Sequence, residues 1–278
     1  MATGLFIATL TADAPALLAQ GGGTLSASPT RVVFDGRTRS AQVALINQGT
    51  APQTYRISFI QMRMREDGRI EEITDPEPAG SFADRLLRYS PRQVTLEPGV
   101  AQTVRLLLRK PADLPAGEYR SHLLLRAVPA AEAGTSIEPI QLGEGEIGIQ
   151  LIPIYGVAIP VIVRHGEVSA GVALTDIALQ AAEADHPPMV SFRLERGGER
   201  SVYGDVTVTF VPAGGGAEVV VEQVKGLAVY LPNASRQVRL ALHPPAGVEL
   251  RDGRLEVAFA ERPETADAVQ AEAVVPVS

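Results

Sequence analysis

Four histidines, His122, His165, His186 and His243, are the residues best able to move a proton or hold a metal at neutral pH. They are scattered, and none has a second ligand at the close spacing a zinc site uses. Asp185-His186-Pro187-Pro188 reads as a turn, where the side chains serve the loop. Ser201, in Glu199-Arg200-Ser201-Val202-Tyr203-Gly204, lacks the glycine-flanked elbow that exposes a nucleophilic serine. The glycine runs 21–23 and 214–216 have neither an adjacent lysine nor the strand-to-helix context of a phosphate loop. Paired carboxylates such as Glu71-Glu72 sit in a charged loop and read as solvated. The sequence has no Cys, which removes thiol nucleophiles, thiolate metal sites and disulfides together. The chain is therefore expected not to be an enzyme, with no catalytic residue, no metal, no ATP site and no other cofactor.

What remains is the chemistry of surfaces, and it concentrates in residues 146–163, EIGIQLIPIYGVAIPVIV. In an extended chain Ile147, Ile149, Leu151, Pro153, Tyr155, Val157 and Ile159 share one face. Pro153 and Pro160 cannot donate to a ladder, which favours an edge or a crossover over the centre of a sheet. A long apolar edge invites pairing with another chain, and proteins normally shorten it, charge it or cover it. This stretch is neither short nor charged. Either the chain buries it, or it pairs with a strand of another protein.

The elements around it are short and rich in Val, Ile and Leu: 31–34, 41–46, 55–60, 100–108 and 122–128. Asp35-Gly36, Asn47-Gln48-Gly49, Asp67-Gly68, Glu97-Pro98-Gly99 and Pro115-Ala116-Gly117 punctuate them. That rhythm predicts a β-sandwich. Tyr119 stands where a tyrosine corner would pin a late strand, with a half-buried strand tyrosine as the alternative. After Arg164-His165-Gly166 the rhythm restarts at 190–194, 206–211, 218–223, 238–242 and 255–259. A faint echo links Val104–Leu108 and Pro115-Ala116-Gly117 with Val238–Leu242 and Pro245-Ala246-Gly247. The predicted fold class is all-β, two immunoglobulin-like β-sandwich domains in tandem in a boomerang arrangement. The expected domains are 24–165 and 166–278, after a signal-peptide-like or disordered N-terminus, 1–23. Only 79–87 suggests a helix. The Ala-, Gly- and Glu-rich segment 129–145 is read as a long loop before the apolar strand.

The net charge of −7 argues against a nucleic-acid binder, whose affinity rests on neutralising phosphates. No segment is long and unbroken enough to span a bilayer as a helix.

Residues 28–165 resemble the periplasmic pilus-assembly chaperones, the PapD-like family, as a divergent member. The likeness lies in Thr30-Arg31-Val32-Val33-Phe34-Asp35-Gly36, Asn47-Gln48-Gly49, Ser90-Pro91, Leu96-Glu97-Pro98-Gly99 with Gln102 and Arg105, Leu114-Pro115, and Arg126-Ala127-Val128-Pro129. The resemblance implies a periplasmic chaperone that caps incomplete, pilin-like subunits by donating a strand, here 146–157, and delivers them to an outer-membrane usher. It implies Ile147, Ile149, Leu151, Pro153 and Tyr155 as groove-filling residues. It also implies Arg31 as the anchor for the subunit's C-terminal carboxylate, with a solvated strand-end arginine as the alternative. The family pairs this Arg with a Lys; here Pro160 falls at that place, leaving Arg31 alone or helped by another arginine such as Arg105. The acidic and serine-containing element after Leu-Pro is replaced by Ala116-Gly117-Glu118-Tyr119-Arg120. Self-association through the apolar strand is a further partner expectation. The competing reading is a structural or adhesive Ig-like protein that buries the strand in its own fold or in a homodimer.

Overall fold

The computed structural model describes residues 25–73, 81–129, 155–183, 186–262 and 268–277. The expected N-terminal leader and the groove-filling positions Ile147, Ile149, Leu151 and Pro153 lie outside these residues. Eleven strands come first: β1 (Leu25–Ser28), β2 (Val32–Phe34), β3 (Ser40–Asn47), β4 (Gln53–Ile60), β5 (Met62–Met64), β6 (Ile70–Glu72), β7 (Leu87–Ser90), β8 (Gln93–Leu96), β9 (Ala101–Leu108), β10 (Gly117–Ala127) and β11 (Gly156–His165). Seven follow: β12 (Ala170–Gln180), β13 (Met189–Gly198), β14 (Val202–Pro212), β15 (Val219–Val229), β16 (Ser235–Ala241), β17 (Gly253–Glu261) and β18 (Gln270–Val277). The expected helix at 79–87 is a single 3-10 turn, Asp84–Leu86, before β7 begins at Leu87.

The first sandwich packs sheet β1-β3-β9-β7 on sheet β2-β11-β10-β4-β8. Its core holds Phe34, Val43, Leu45, Leu106, Leu123, Leu125, Ile159 and Val161, all almost wholly buried. The second packs β12-β13-β16 on β15-β14-β17-β18 around Val190, Leu194, Val208, Val229, Leu255 and Phe259. These are two Ig-like sandwiches with separate cores. The faint repeat in the sequence has a structural cause, since β9 and β16 are counterparts: β9 pairs β3, and β16 pairs β13. Two turns are locked by side chains. Tyr119 donates from its hydroxyl to Pro115 O at 2.9 Å, which makes it a tyrosine corner. Asn47 is fully buried; its amide donates to Ala51 O and Leu96 O, and its Oδ1 accepts from Gly49 N.

β11 divides in two along its length. On one side it pairs antiparallel with β10 from Gly156 to His165. On the other it pairs parallel with β2, and only from Val161 to Val163. The proline expectation is thus met up to Pro160 and overturned beyond it. The chain is an edge over 156–160 among the described residues, then lies inside the sheet once each residue can take its place in both ladders.

The two sandwiches are joined at a polar seam. Arg164 is fully buried on the face of β11 turned away from the core. Its Nε donates to Glu118 Oε2 at 3.2 Å, Nη1 to Asp35 Oδ2 at 3.4 Å, and Nη2 to Ser201 O, in the second sandwich, at 3.4 Å. Ser201 N returns a bond to Glu118 Oε2 at 3.1 Å, and Lys110 Nζ donates to Arg164 O at 2.6 Å. The β5–β6 hairpin crosses the seam as well. Glu66 O accepts from Gln237 N, Met64 O accepts from Asn233 Nδ2, and a Cβ at Gly68 would overlap the Arg236 guanidinium.

Removing one partner of a buried pair strands the other charge. Arg164→Met is expected to lower unfolding free energy by about 3–5 kcal/mol in urea denaturation, because Glu118 is left buried and unpaired. Adding Glu118→Gln to the same chain should recover part of that loss. A loss under about 1 kcal/mol for Arg164→Met would mean that water reaches the pair.

Candidate interdomain anion site

Alternation along β2 places the site's first residue. Val32 and Phe34 enter the first core, so Arg31 and Val33 turn the other way, toward the second sandwich. Arg31 is 9% exposed, which rules out the solvated strand-end reading. Its Nη1 donates to the Tyr230 hydroxyl at 3.0 Å. Its Cζ lies 4.6 Å from the centroid of the Tyr203 ring and 5.5 Å from that of Tyr230. Both tyrosines belong to the second sandwich. Arg31 therefore ties the two sandwiches by a hydrogen bond and by ring contacts, a combination the flat, weakly hydrated guanidinium permits.

The row extends at both ends. Arg262 Cζ lies 5.2 Å from the Tyr203 ring and its Nε donates to Asp205 Oδ1 at 2.8 Å. Arg120 Cζ lies 4.3 Å from the Tyr230 ring. Guanidinium and phenol thus alternate: Arg262, Tyr203, Arg31, Tyr230, Arg120. Apolar contacts back this row, with Met64, Ile162, Ala228 and Tyr230 clustered and Val33 and Tyr203 packed against them.

Arg120 comes from β10. Tyr119, Leu123 and Leu125 face the core, so Glu118, Arg120 and His122 share the opposite face, beside Pro160, Ile162 and Arg164 of β11. Arg120 Nη2 donates to Met62 O at 3.1 Å, while its Nη1 is buried with no hydrogen-bond partner among the described residues. Burial pushes the Arg120 pKa below its ordinary value; Tyr230 and Glu118 oppose that shift, and the Arg31 charge adds to it.

Of the residues singled out in the sequence, Arg31 lies in this seam. Tyr155 stands just before β11 and is 52% exposed. Its parity is that of Val157, Ile159, Val161 and Val163, which pack into the first core, so one face of the strand changes from buried to exposed between Val157 and Tyr155. Arg105 gives Arg31 no help. It is exposed on β9, opposite Gln42 and Ser90 in the other sheet. Arg120, Tyr203 and Tyr230 were missed by sequence reasoning. Arg120 had a signal: carrying the strand back from His122 to Gly117 yields the polar alternation Glu118, Arg120, His122. The tyrosines had none, because contact between two domains leaves no period in the sequence.

His122 has a consequence for pH. It is 3% exposed, opposite Ile60 and Pro160, and its Nδ1 has no partner among the described residues. Burial, reinforced by the Arg120 charge, lowers its pKa to about 3. The unfolded chain protonates this side chain near its ordinary value, about 6.5. Between those values the unfolded state binds more protons, so the contribution is complete above about pH 6.5 and is lost as pH falls toward about 3. Unfolding free energies from urea denaturation at pH 7, 6 and 5 should fall more steeply for the wild type than for His122→Gln, by up to about 1.4 kcal/mol per pH unit. Parallel slopes would show that His122 takes its proton in the folded state.

No protein-family model matches the chain, and no curated protein sequence matches it. Solved structures similar to it include the YadV chaperone, at 13% identity and TM-score 0.44, covering 90% of this chain and 99% of that one. The E. coli chaperone DraB is similar at 14% identity and TM-score 0.44, covering 92% and 97%. A chain of the CsuC–CsuE chaperone–tip adhesion subunit pre-assembly complex from archaic chaperone-usher Csu pili of Acinetobacter baumannii is similar at 11% identity and TM-score 0.44, covering 90% and 97%. At these identities and TM-scores the likenesses carry no argument about what this chain does.

Proposed function

We propose that this chain is a periplasmic chaperone of fimbrial or related surface subunits, which it caps by donating the strand 146–157 before delivery to an outer-membrane usher. The observation that carries the reading is the half-open edge of β11. From Gly156 to Pro160 it is paired with β10 on one side and with no strand on the other among the described residues. An added strand would find backbone donors and acceptors there, and alternate side chains would give it fit.

The register adds a direction. β2 runs parallel to β11 and begins opposite Val161. A client strand laid parallel along 156–160 would be collinear with β2, and its C-terminal end would arrive at Arg31. An antiparallel client would bring its N-terminal end instead. A guanidinium at that point favours the parallel arrangement, since its fork matches a terminal carboxylate with two hydrogen bonds. In this reading Ile147, Ile149, Leu151, Pro153 and Tyr155 fill the client's groove, Arg31 holds its terminus, and the domains are 24–165 and 166–278. No step calls on catalysis, metal or nucleotide.

Capture of an incomplete Ig-like subunit by the tagged full chain, co-expressed in a periplasm, tests this. Ile149→Asp should reduce recovery at least about tenfold, the scale set by moving a carboxylate into an apolar groove. Undiminished capture would remove strand donation and leave the structural or adhesive reading. Arg31 must be tested with its burial in mind. Arg31→Met keeps the bulk of the side chain, and it should weaken capture while also lowering the melting temperature. Capture unchanged by Arg31→Met would remove the carboxylate anchor.

A further inference from the structure

The β5–β6 hairpin has no wider sheet to rest on. Its strands, three residues each, pair only with one another among the described residues. A lone two-stranded hairpin is at best marginally stable in water. Its own supports are slight. Arg63 and Arg65 meet Glu71, and Arg69 meets Asp67, all at the surface, where an ion pair contributes little. Met64 is its one buried residue, and it clusters with Ile162, Ala228 and Tyr230 rather than with the first core.

The tip is held from the far side. Gln237 N donates to Glu66 O at 2.7 Å, and Asn233 Nδ2 donates to Met64 O at 2.9 Å. The Arg236 guanidinium, tied to Ala228 O at 3.2 Å, covers Gly68, whose φ is +86°. All three of these residues belong to the second sandwich. The ladder shows what the first bond does. Arg196 N donates to Ala234 O and Leu242 N to Pro188 O, which marks the even-numbered residues of β16 as those bonded to β13. Gln237 therefore turns its N–H to the outer edge of β12-β13-β16, where no strand follows among the described residues. Glu66 takes that donor. Covering an edge in this way is one means of withdrawing it from pairing with another chain.

We infer that the β5–β6 hairpin is a strap folded by the second sandwich: it is ordered only while the two sandwiches are seated together, and its tip caps the edge of β16. Order in the strap and seating of the domains are then one cooperative event. Sandwiches that part take Ala228 and Tyr230 from Met64 and the Gln237 donor from Glu66 at the same moment. What is left is a short, mostly exposed hairpin with nothing beneath it. Arg120 ties the base of the strap to the same event, since its Nη2 holds Met62 O while its Cζ lies 4.3 Å from the Tyr230 ring. The inference stands apart from the chaperone reading, because no client enters it.

Amide hydrogen exchange of the full 15N-labelled chain, followed by NMR at pH 7, tests the strap from both ends. Arg65 N–H and Ile73 N–H report its order, because they bond within it, to Arg69 O and Gln61 O. Asn233→Ala and Gln237→Pro alter only the second sandwich. Proline suits position 237, whose N–H takes no part in the ladder with β13. Each variant should speed exchange at Arg65 and Ile73 about fivefold, the net worth of one hydrogen bond, and leave Leu123 and Leu125 in the first core unchanged. Coupling is reciprocal, so a change in the strap must be felt at β16. Gly68→Ala crowds Arg236 and puts alanine at a left-handed φ; it should speed exchange at Gln237 about tenfold, with Val238 and Leu240 as slow as in the wild type. Wild-type rates at Arg65 and Ile73 in both second-sandwich variants would show a hairpin folded by the first sandwich alone, and overturn the inference. Faster exchange spread evenly over both cores would overturn it too, because that is loss of the whole fold rather than release of a strap. If Gln237→Pro does not fold, Asn233→Ala decides by itself.

Discussion

The alternation of side chains along β11 is the constraint from which the rest follows. Its odd residues Ile159, Val161 and Val163 complete the core of the first sandwich. Its even residues Pro160, Ile162 and Arg164 must then face outward, and outward here means toward the second sandwich. A shift of one residue would bury Arg164 in the first core and put three branched apolar side chains into the seam. The register against β10 fixes the same choice a second time, since it sets Arg120 opposite Ile162 and His122 opposite Pro160. One strand thus carries the core of one sandwich on one face and the junction between the two on the other.

That junction is made mainly of charge, hydrogen bonds and stacked rings, with a small apolar cluster behind them. Contacts of this kind are directional. Arg164 has its Nε, Nη1 and Nη2 committed to three different residues, one of them in the second sandwich. Interfaces between domains of one chain are commonly more polar than cores, and relative motion is the default unless something holds them. Here the guanidinium–tyrosine row and the β5–β6 hairpin both do so, and they touch each other where Arg120 donates to Met62 O and Met64 packs with Tyr230. The rings that position Arg31 and Arg120 belong to the second sandwich, so neither arginine is held only by the domain that supplies it.

The fold was legible because its rules are local. Short Val- and Ile-rich runs bounded by Gly and Pro turns gave the two sandwiches, and the repeated Val-Arg-Leu pattern marked β9 and β16 as counterparts. Strands β1, β5, β6, β7, β8, β12 and β18 were not singled out, being either very short or lacking a buried run: β12 alternates half-buried and exposed residues along nearly all its length. The site was legible only in part. Arg31 could be named from the Thr-Arg signature, yet its burial could not, since the residues that cover it lie about 170–200 positions later in the chain. Arg105 was an attractive helper by proximity in the motif, but it belongs to the sheet on the far side of the core.

The resemblance expects a lysine where Pro160 stands, and the register shows where that proline falls in the sheet. Pro160 is the last residue of β11 before the β2 ladder begins. It ends the open edge at a residue that has no backbone donor to offer. The next strand, β10, carries its outward residues in the same layer, and Arg120 there lies against the Tyr230 ring while its Nη2 donates to Met62 O. The edge thus carries no charge from Gly156 to Pro160, and the nearby cation sits one strand inward, against a ring of the second sandwich.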